Sequence, residues 1–171
     1  MMKQMIVVGP RNYNETVIDF VANLSKKPGR IGYVSLNKTY SSVMCMLEDR
    51  GADMGKFFFI DCITSSLLPA KGVKNVAVVM PMGSIDALNL LKNEIKAAVS
   101  REKLDTLVID SFSSLMVYMK EEKALSWLTS LLNFLEEGGI GVTIFVLEDD
   151  TKRDAVKQVE MRVDSADIIK Y

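Results

Sequence analysis

Gly9, Thr16 and Asp110 are the residues whose types and surroundings bear most directly on chemistry. The stretch MIVVGPRNYNETVIDF, Met5 to Phe20, reads as a buried strand, a glycine turn and a helix start. The register G-x-x-x-x-G-K-[ST] of a phosphate-binding P-loop can be laid on it, with Gly9 in the first position and Thr16 in the last. In such a loop backbone N–H groups cradle phosphates, the lysine reaches the terminal phosphates and the hydroxyl meets magnesium. Here Asn14 stands in the second glycine position and Glu15 in the lysine position. Asparagine tolerates left-handed backbone angles better than most residues, so Asn14 is a mild change. Glu15 is not. Two unit charges about 4 Å apart interact by roughly 4 kcal/mol at an effective dielectric of about 20. A lysine-to-glutamate exchange beside phosphate therefore removes one attraction and adds one repulsion. The same residues also read as a plain strand-to-helix turn. In that reading Gly9–Pro10 turns the chain, Asn12 or Asn14 caps the helix, and Glu15 complements its positive end. Tyr13, inside the loop, is a residue to stack on a base or to plug the phosphate pocket.

A second constellation is LDTLVIDSFSSL, an apolar strand ending in Asp110. In a Walker B element an aspartate at this place holds a magnesium ion. The alternative is a cap on the turn or helix that follows. Histidine is absent from the chain, which removes the Ser-His-Asp and Cys-His pairs and the commonest nitrogen ligand of zinc. Cys45 and Cys62 lack C-x-x-C spacing and read as two half-buried free thiols of a reducing compartment.

The elements that must position these residues alternate along the whole chain. Met5–Val8, Ile31–Leu36, Phe57–Ile60, Val76–Val79, Leu107–Ile109, Val142–Val146 and Asp167–Ile169 read as strands, most without polar alternation, as in a parallel sheet buried on both faces. Helices are predicted at Thr16–Leu24, Tyr40–Asp49, Ile85–Val99, Ala124–Glu136 and Lys152–Met161. In KALSWLTSLLNFLEEGG the face is marked by Leu125, Leu128, Leu132 and Leu135, and Gly138–Gly139 ends the helix. Trp127 lies beside that face as a core or interface residue, and Phe57–Phe59 read as a central strand. Met80 and Met82 fill a turn or a soft contact surface, with Ser84 capping the next helix. Such alternation means one α/β domain over residues 1–171, with ligands expected at the carboxyl ends of the strands.

The bulk numbers exclude several classes. Hydrophobic residues at 49% and charged residues at 25% give a globular rather than a disordered chain. A formal net charge of −1, with the basic Lys152, Arg153 and Lys157 mixed among acids as a solvated face, argues against nucleic acid as a partner. No cleavable signal pattern and no long apolar span are seen, so a cytoplasmic protein off the membrane is expected.

TLVIDSFSSL, GRIGYVSLN, GIGVTIFVLEDD and SADIIKY together resemble the KaiC and RecA group of P-loop ATPases, in matching order along nearly the whole chain. The resemblance implies a three-layer α/β/α sandwich with a mainly parallel sheet. In that group the fold binds and hydrolyses ATP, often in a hexameric ring whose nucleotide edge is a subunit interface. The lysine of the group's P-loop corresponds to Glu15, and the acids that activate water after the second strand correspond to Asn37 and Lys38 in YVSLNK. Asparagine orients water without taking its proton, and lysine is already protonated at neutral pH. The resemblance therefore implies a vestigial nucleotide site at Gly9, Asn14, Thr16 and Asp110, with no catalytic residue and no metal. The expected function is that of a non-catalytic pseudo-ATPase, a regulatory or protein-interaction module with a protein partner or self-association and no cofactor. The alternatives are a Mg-ATP-binding protein of the same group or a weak ATPase, the latter completed by a neighbouring subunit.

Overall fold

A computed structural model describes residues 1–64, 74–79 and 86–169. Its strands are β1 (Lys3–Val8), β2 (Ile31–Ser35), β3 (Phe57–Asp61), β4 (Val76–Val78), β5 (Thr106–Asp110), β6 (Gly141–Leu147) and β7 (Ser165–Ile169). They form one sheet in the order β4-β3-β2-β5-β6-β1-β7, and every pairing among the described residues is parallel. The helices are α1 (Tyr13–Ser25), α2 (Tyr40–Asp49), α3 (Ala87–Glu102), α4 (Phe112–Tyr118), α5 (Glu121–Glu137) and α6 (Asp154–Glu160).

The apolar strands explain the layering. Side chains alternate across a strand, so a strand apolar at every position must be covered on both faces. On one face Ile6, Val8, Tyr33, Phe57, Phe59 and Val108 pack under α1 and α2, through Val17, Val21, Val43 and Leu47. On the other, Val7, Val34, Phe58, Leu107, Ile109 and Ile144 pack under α3, α4, α5 and α6. The result is the three-layer α/β/α arrangement with a parallel sheet.

Gly32 marks the tightest place in the sheet. A Cβ there would lie 2.7 Å from Leu104 Cδ1 and 2.8 Å from Leu107 Cδ1, so only glycine lets the two leucines close over β2. In α5 the residues Trp127, Leu128, Leu131, Leu132 and Leu135 are buried, whereas Leu125 is only partly covered. Trp127 is a core residue, and its indole N–H donates to the Leu88 carbonyl at 2.9 Å, fastening α5 to α3. Gly139, at φ 71°, supplies the left-handed residue after the helix.

Three expectations change. Helix α1 begins at Tyr13, one turn before the predicted Thr16, with Asn12 as its N-cap residue but without a side-chain capping bond. Helix α4 was not expected: it is seven residues long and carries two serines. The cap after β5 is Ser111, whose hydroxyl accepts from the Ser114 N–H at 3.1 Å, and not Asp110. The thiols also differ from one another, since Cys45 is exposed and Cys62 buried. Met80, Met82, Ser84 and the first residue predicted for α3, Ile85, lie outside the described residues.

Candidate functional site

The carboxyl ends of β1, β2, β3, β5 and β6 gather at one rim of the sheet, as parallel pairing requires. At its centre is Asp110, the last residue of β5, fully buried. Register places Asp110 beside Ser35 of β2, and the Leu36 N–H donates to the Asp110 carbonyl at 2.8 Å. The chain after β2 therefore passes directly over the carboxylate.

Four side chains converge there. The Tyr13 hydroxyl, from the first residue of α1, donates to Oδ1 at 2.7 Å. The Asn37 amide donates to the same oxygen at 2.9 Å. From within β2, the Tyr33 hydroxyl donates to Oδ2 at 2.6 Å. The Lys38 ammonium lies 3.7 Å from Oδ2 and 5.6 Å from the centre of the Tyr13 ring, and it donates to Asn37 Oδ1 at 3.0 Å. The Ser35 hydroxyl donates to the Lys38 carbonyl and fixes this loop. Burial, and then the Asp110 charge, raise both tyrosine pKa values well above 10.0, so both phenols stay protonated and donate. The cluster is a buried carboxylate whose two oxygens already have donors, with a cation beside them. A buried charge is stable only when paired in this way.

The other residues taken from the loop reading lie apart from that cluster. Gly9 and Thr16 line a cleft of about 260 Å³ together with Arg11, Asn12, Glu148 and Ile169. Glu148 leans over Gly9, its Oε2 3.6 Å from where a glycine Cβ would be. Asn14 and Glu15 are exposed on the first turn of α1. The structure thus brings Gly9 and Thr16 together, sets Asn14 outside the cleft, and buries Asp110 against Tyr13.

Asp61, which ends β3, is also fully buried, but its role is to brace the rim. It accepts from the N–H groups of Tyr40 at 2.8 Å, Ile63 at 2.7 Å and Thr64 at 2.9 Å, joining β3 to the start of α2. The neighbouring Cys62 thiol is pushed up to about 12 by burial and by Asp61, which leaves it protonated and a poor nucleophile at neutral pH.

No known family profile matches the chain, and no curated protein matches it in sequence. Its fold is nevertheless shared by 218 solved chains. One of them is a KaiC-like protein from the hyperthermophilic archaeon Pyrococcus horikoshii, with a TM-score of 0.63 at 16% identity. The match covers 92% of this chain and 66% of that one, so this chain spans less than two thirds of its length. The fold is RecA/KaiC-like.

As an acid that ends an apolar strand, Asp110 was expected from the sequence to be a candidate for holding a magnesium ion. Magnesium takes oxygen ligands in near-octahedral geometry at about 2.0–2.1 Å. The donor set around Asp110 does not suit it: three N–H or O–H groups point at the carboxylate, and an ammonium occupies the adjacent space. No cluster of three acidic or cysteine side chains able to hold a metal occurs among the described residues.

Sequence reasoning missed Tyr33. The available signal was a tyrosine in an otherwise apolar parallel strand, because a phenol buried there needs an acceptor, and Asp110 is the acid on the strand beside it. Lys152 and Lys157 lie on an exposed face, as the mixed charges implied. Arg153 there pairs with Glu121 and Asp150 at 2.6 Å each. No helix among the described residues is long and apolar enough to cross a membrane.

Proposed function

We propose that this chain is a non-catalytic RecA/KaiC-like domain, a pseudo-ATPase that works as a regulatory or protein-interaction module. The observation that carries the reading is the occupancy of Asp110 by Tyr13, Tyr33, Asn37 and Lys38. For Asp110 to take a cation, two phenols and an amide must give up charge-assisted hydrogen bonds, each worth about 1.5–3 kcal/mol. Lys38 supplies the positive charge from within the chain. Glu15 on the first turn of α1 and Glu148 over Gly9 add negative charge where a triphosphate would lie. Asn37 and Lys38, where the related enzymes carry acids, are occupied with Asp110 and with each other.

The deciding experiment is calorimetric titration of the purified chain with ATP, with and without Mg²⁺, beside a phosphate-release assay. The expected result is no binding heat, no thermal shift and no release at millimolar ATP. A dissociation constant near or below ~100 μM, about 5.5 kcal/mol of affinity, overturns the reading. Sedimentation of the same chain over a range of concentrations then measures self-association.

A further inference from the structure

The rim opposite Asp110 holds a second cavity. It measures about 410 Å³ and lies where the amino ends of β1, β2, β5 and β6 meet the last turns of α1. Further along the strands, the side chains on the α1 face of the sheet are apolar, as at Ile6, Val8, Val108 and Phe145. At the amino ends this changes. Gln4, Thr106 and Thr143 form the floor around Gly141, which contributes no side chain. A Cβ on Gly141 would lie 3.1 Å from Thr106 Oγ1, so glycine keeps this part of the floor clear. Phe20, Leu24, Pro28 and Ile31 supply apolar walls. The floor also carries an oriented polar group. Thr143 is 1% exposed, and its hydroxyl oxygen accepts from Gln4 Nε2 at 2.7 Å. That bond uses one N–H of the half-buried Gln4 amide and orients the rest of it. The amide carbonyl oxygen and the second N–H make no hydrogen bond among the described residues. A primary amide held in this way offers a donor beside an acceptor, and it can pair at two points with a heterocycle edge of complementary order.

We propose that this cavity binds an uncharged, planar nitrogen heterocycle with a donor beside an acceptor on one edge, the chemistry of a nucleobase. That edge would pair with the Gln4 amide, and the ring would lie against Phe20, Leu24 and Ile31. Sites for small molecules are concave and mostly apolar, with a few placed polar groups that fix orientation, and this cavity has that composition. Lys27 and Asp105, both exposed on its lining, are opposite in sign, so the charges select for no net charge on the ligand. Thr143 acts as a positioning residue, because it holds the amide that would touch the ligand. The site goes beyond the pseudo-ATPase reading and does not rest on it, since it shares no residue with the Asp110 cluster.

The test is an amide NMR titration of the full chain with uracil, to about 20 mM, well above the millimolar dissociation constants usual for so small a ligand. Its imide N–H and the carbonyl beside it form the required edge. Uracil methylated on that nitrogen keeps the ring and blocks the donor. The expected result is saturable movement of signals at Gln4, Thr106, Gly141 and Thr143, with the methylated base at least about tenfold weaker, a 1.4 kcal/mol difference. Gln4→Met keeps the length of the side chain without its amide, and is expected to weaken uracil binding by about tenfold or more. Thr143→Val frees the Gln4 amide to rotate, so it should narrow the difference between the two bases. A titration without saturable shifts, shifts mapping to the carboxyl rim, equal binding of the two bases, or unaltered binding by Gln4→Met overturns the proposal. The comparison of the bases uses the unaltered chain, so it decides even where a variant fails to fold. Mg-ATP in a parallel sample keeps the two readings apart: ATP shifts at Asp110 and Tyr13 would overturn the pseudo-ATPase reading without deciding the uracil result.

Discussion

Asp110 is fully buried and joins three parts of the chain, because it meets groups from α1, β2 and the loop after β2. Replacing Tyr33 by Phe removes one of its donors without changing the packed shape. The expected loss is about 1.5–3 kcal/mol, the range for a hydrogen bond to a charged group, read from urea denaturation. Tyr13→Phe should lose less, because Asn37 still donates to the same oxygen. Equal, negligible losses for both would mean that water replaces the phenols without penalty. The tyrosines also impose a pH dependence whose sign is fixed by the direction of their shifts. Each has a folded pKa well above 10.0, so the folded chain keeps the phenol protons when the unfolded chain has released them. Their contribution is fully present below pH 10.0 and declines above it. Once the unfolded phenols have ionised, the slope should approach about −2.7 kcal/mol per pH unit for the pair, and about half that in Tyr33→Phe. Denaturation curves at pH values from neutral to alkaline measure it, and an identical slope in the variant would remove Tyr33 from the explanation.

At the scale of elements, the packing of β2 gives a prediction of a different kind. Gly32→Ala places a methyl group within 3 Å of two leucine methyls in a filled interior. Overpacking of this sort destabilises by about 1–3 kcal/mol, and a companion Leu104→Val that frees volume should return part of it. Additive losses in the double variant, measured by the same denaturation series, would mean that the leucines do not limit the site. The elements themselves were largely legible in the chain. Strands β1, β2, β3, β5 and β6 were readable because a parallel strand buried on both faces is a continuous apolar run with no competing period, as in FFFI of β3, whereas β4 and β7 are short and less buried. Helix α5 was readable from its leucine spacing and from the glycines at its end. Helix α4 was not, because seven residues give barely two turns in which to show a period, and its two serines resemble a loop. The site was legible in part. Strand ends pointed to Gly9 and Asp110, yet the partners of Asp110 come from residues 77 and 97 positions away. Only the sheet order, which sets β2 beside β5, brings them together.

For the whole molecule, the decisive feature is the difference between the centre of the sheet and its edges. Strands β2 and β5 have neighbours on both sides and are buried along nearly their whole length, and the Asp110 cluster ties them to α1 at the carboxyl rim. Among the described residues strand β7 pairs only with β1, and Ile168 on it is 60% exposed. Amides that need global unfolding to exchange should therefore lie in β2 and β5, and those of β7 should exchange through local opening. Asp110→Asn turns an N–H group toward donors that require an acceptor. It should reduce protection in β2, β5 and the first turns of α1 together, leaving the difference between centre and edge in place. Hydrogen exchange followed by mass spectrometry at two protein concentrations separates the possibilities. Protection of β7 equal to that of β5 at both concentrations would contradict the local-opening prediction. Protection that rises with concentration at β7 alone would mean that a second copy covers this edge. In that case the interaction surface of the module would lie on the flank of the sheet, away from Asp110 at its centre.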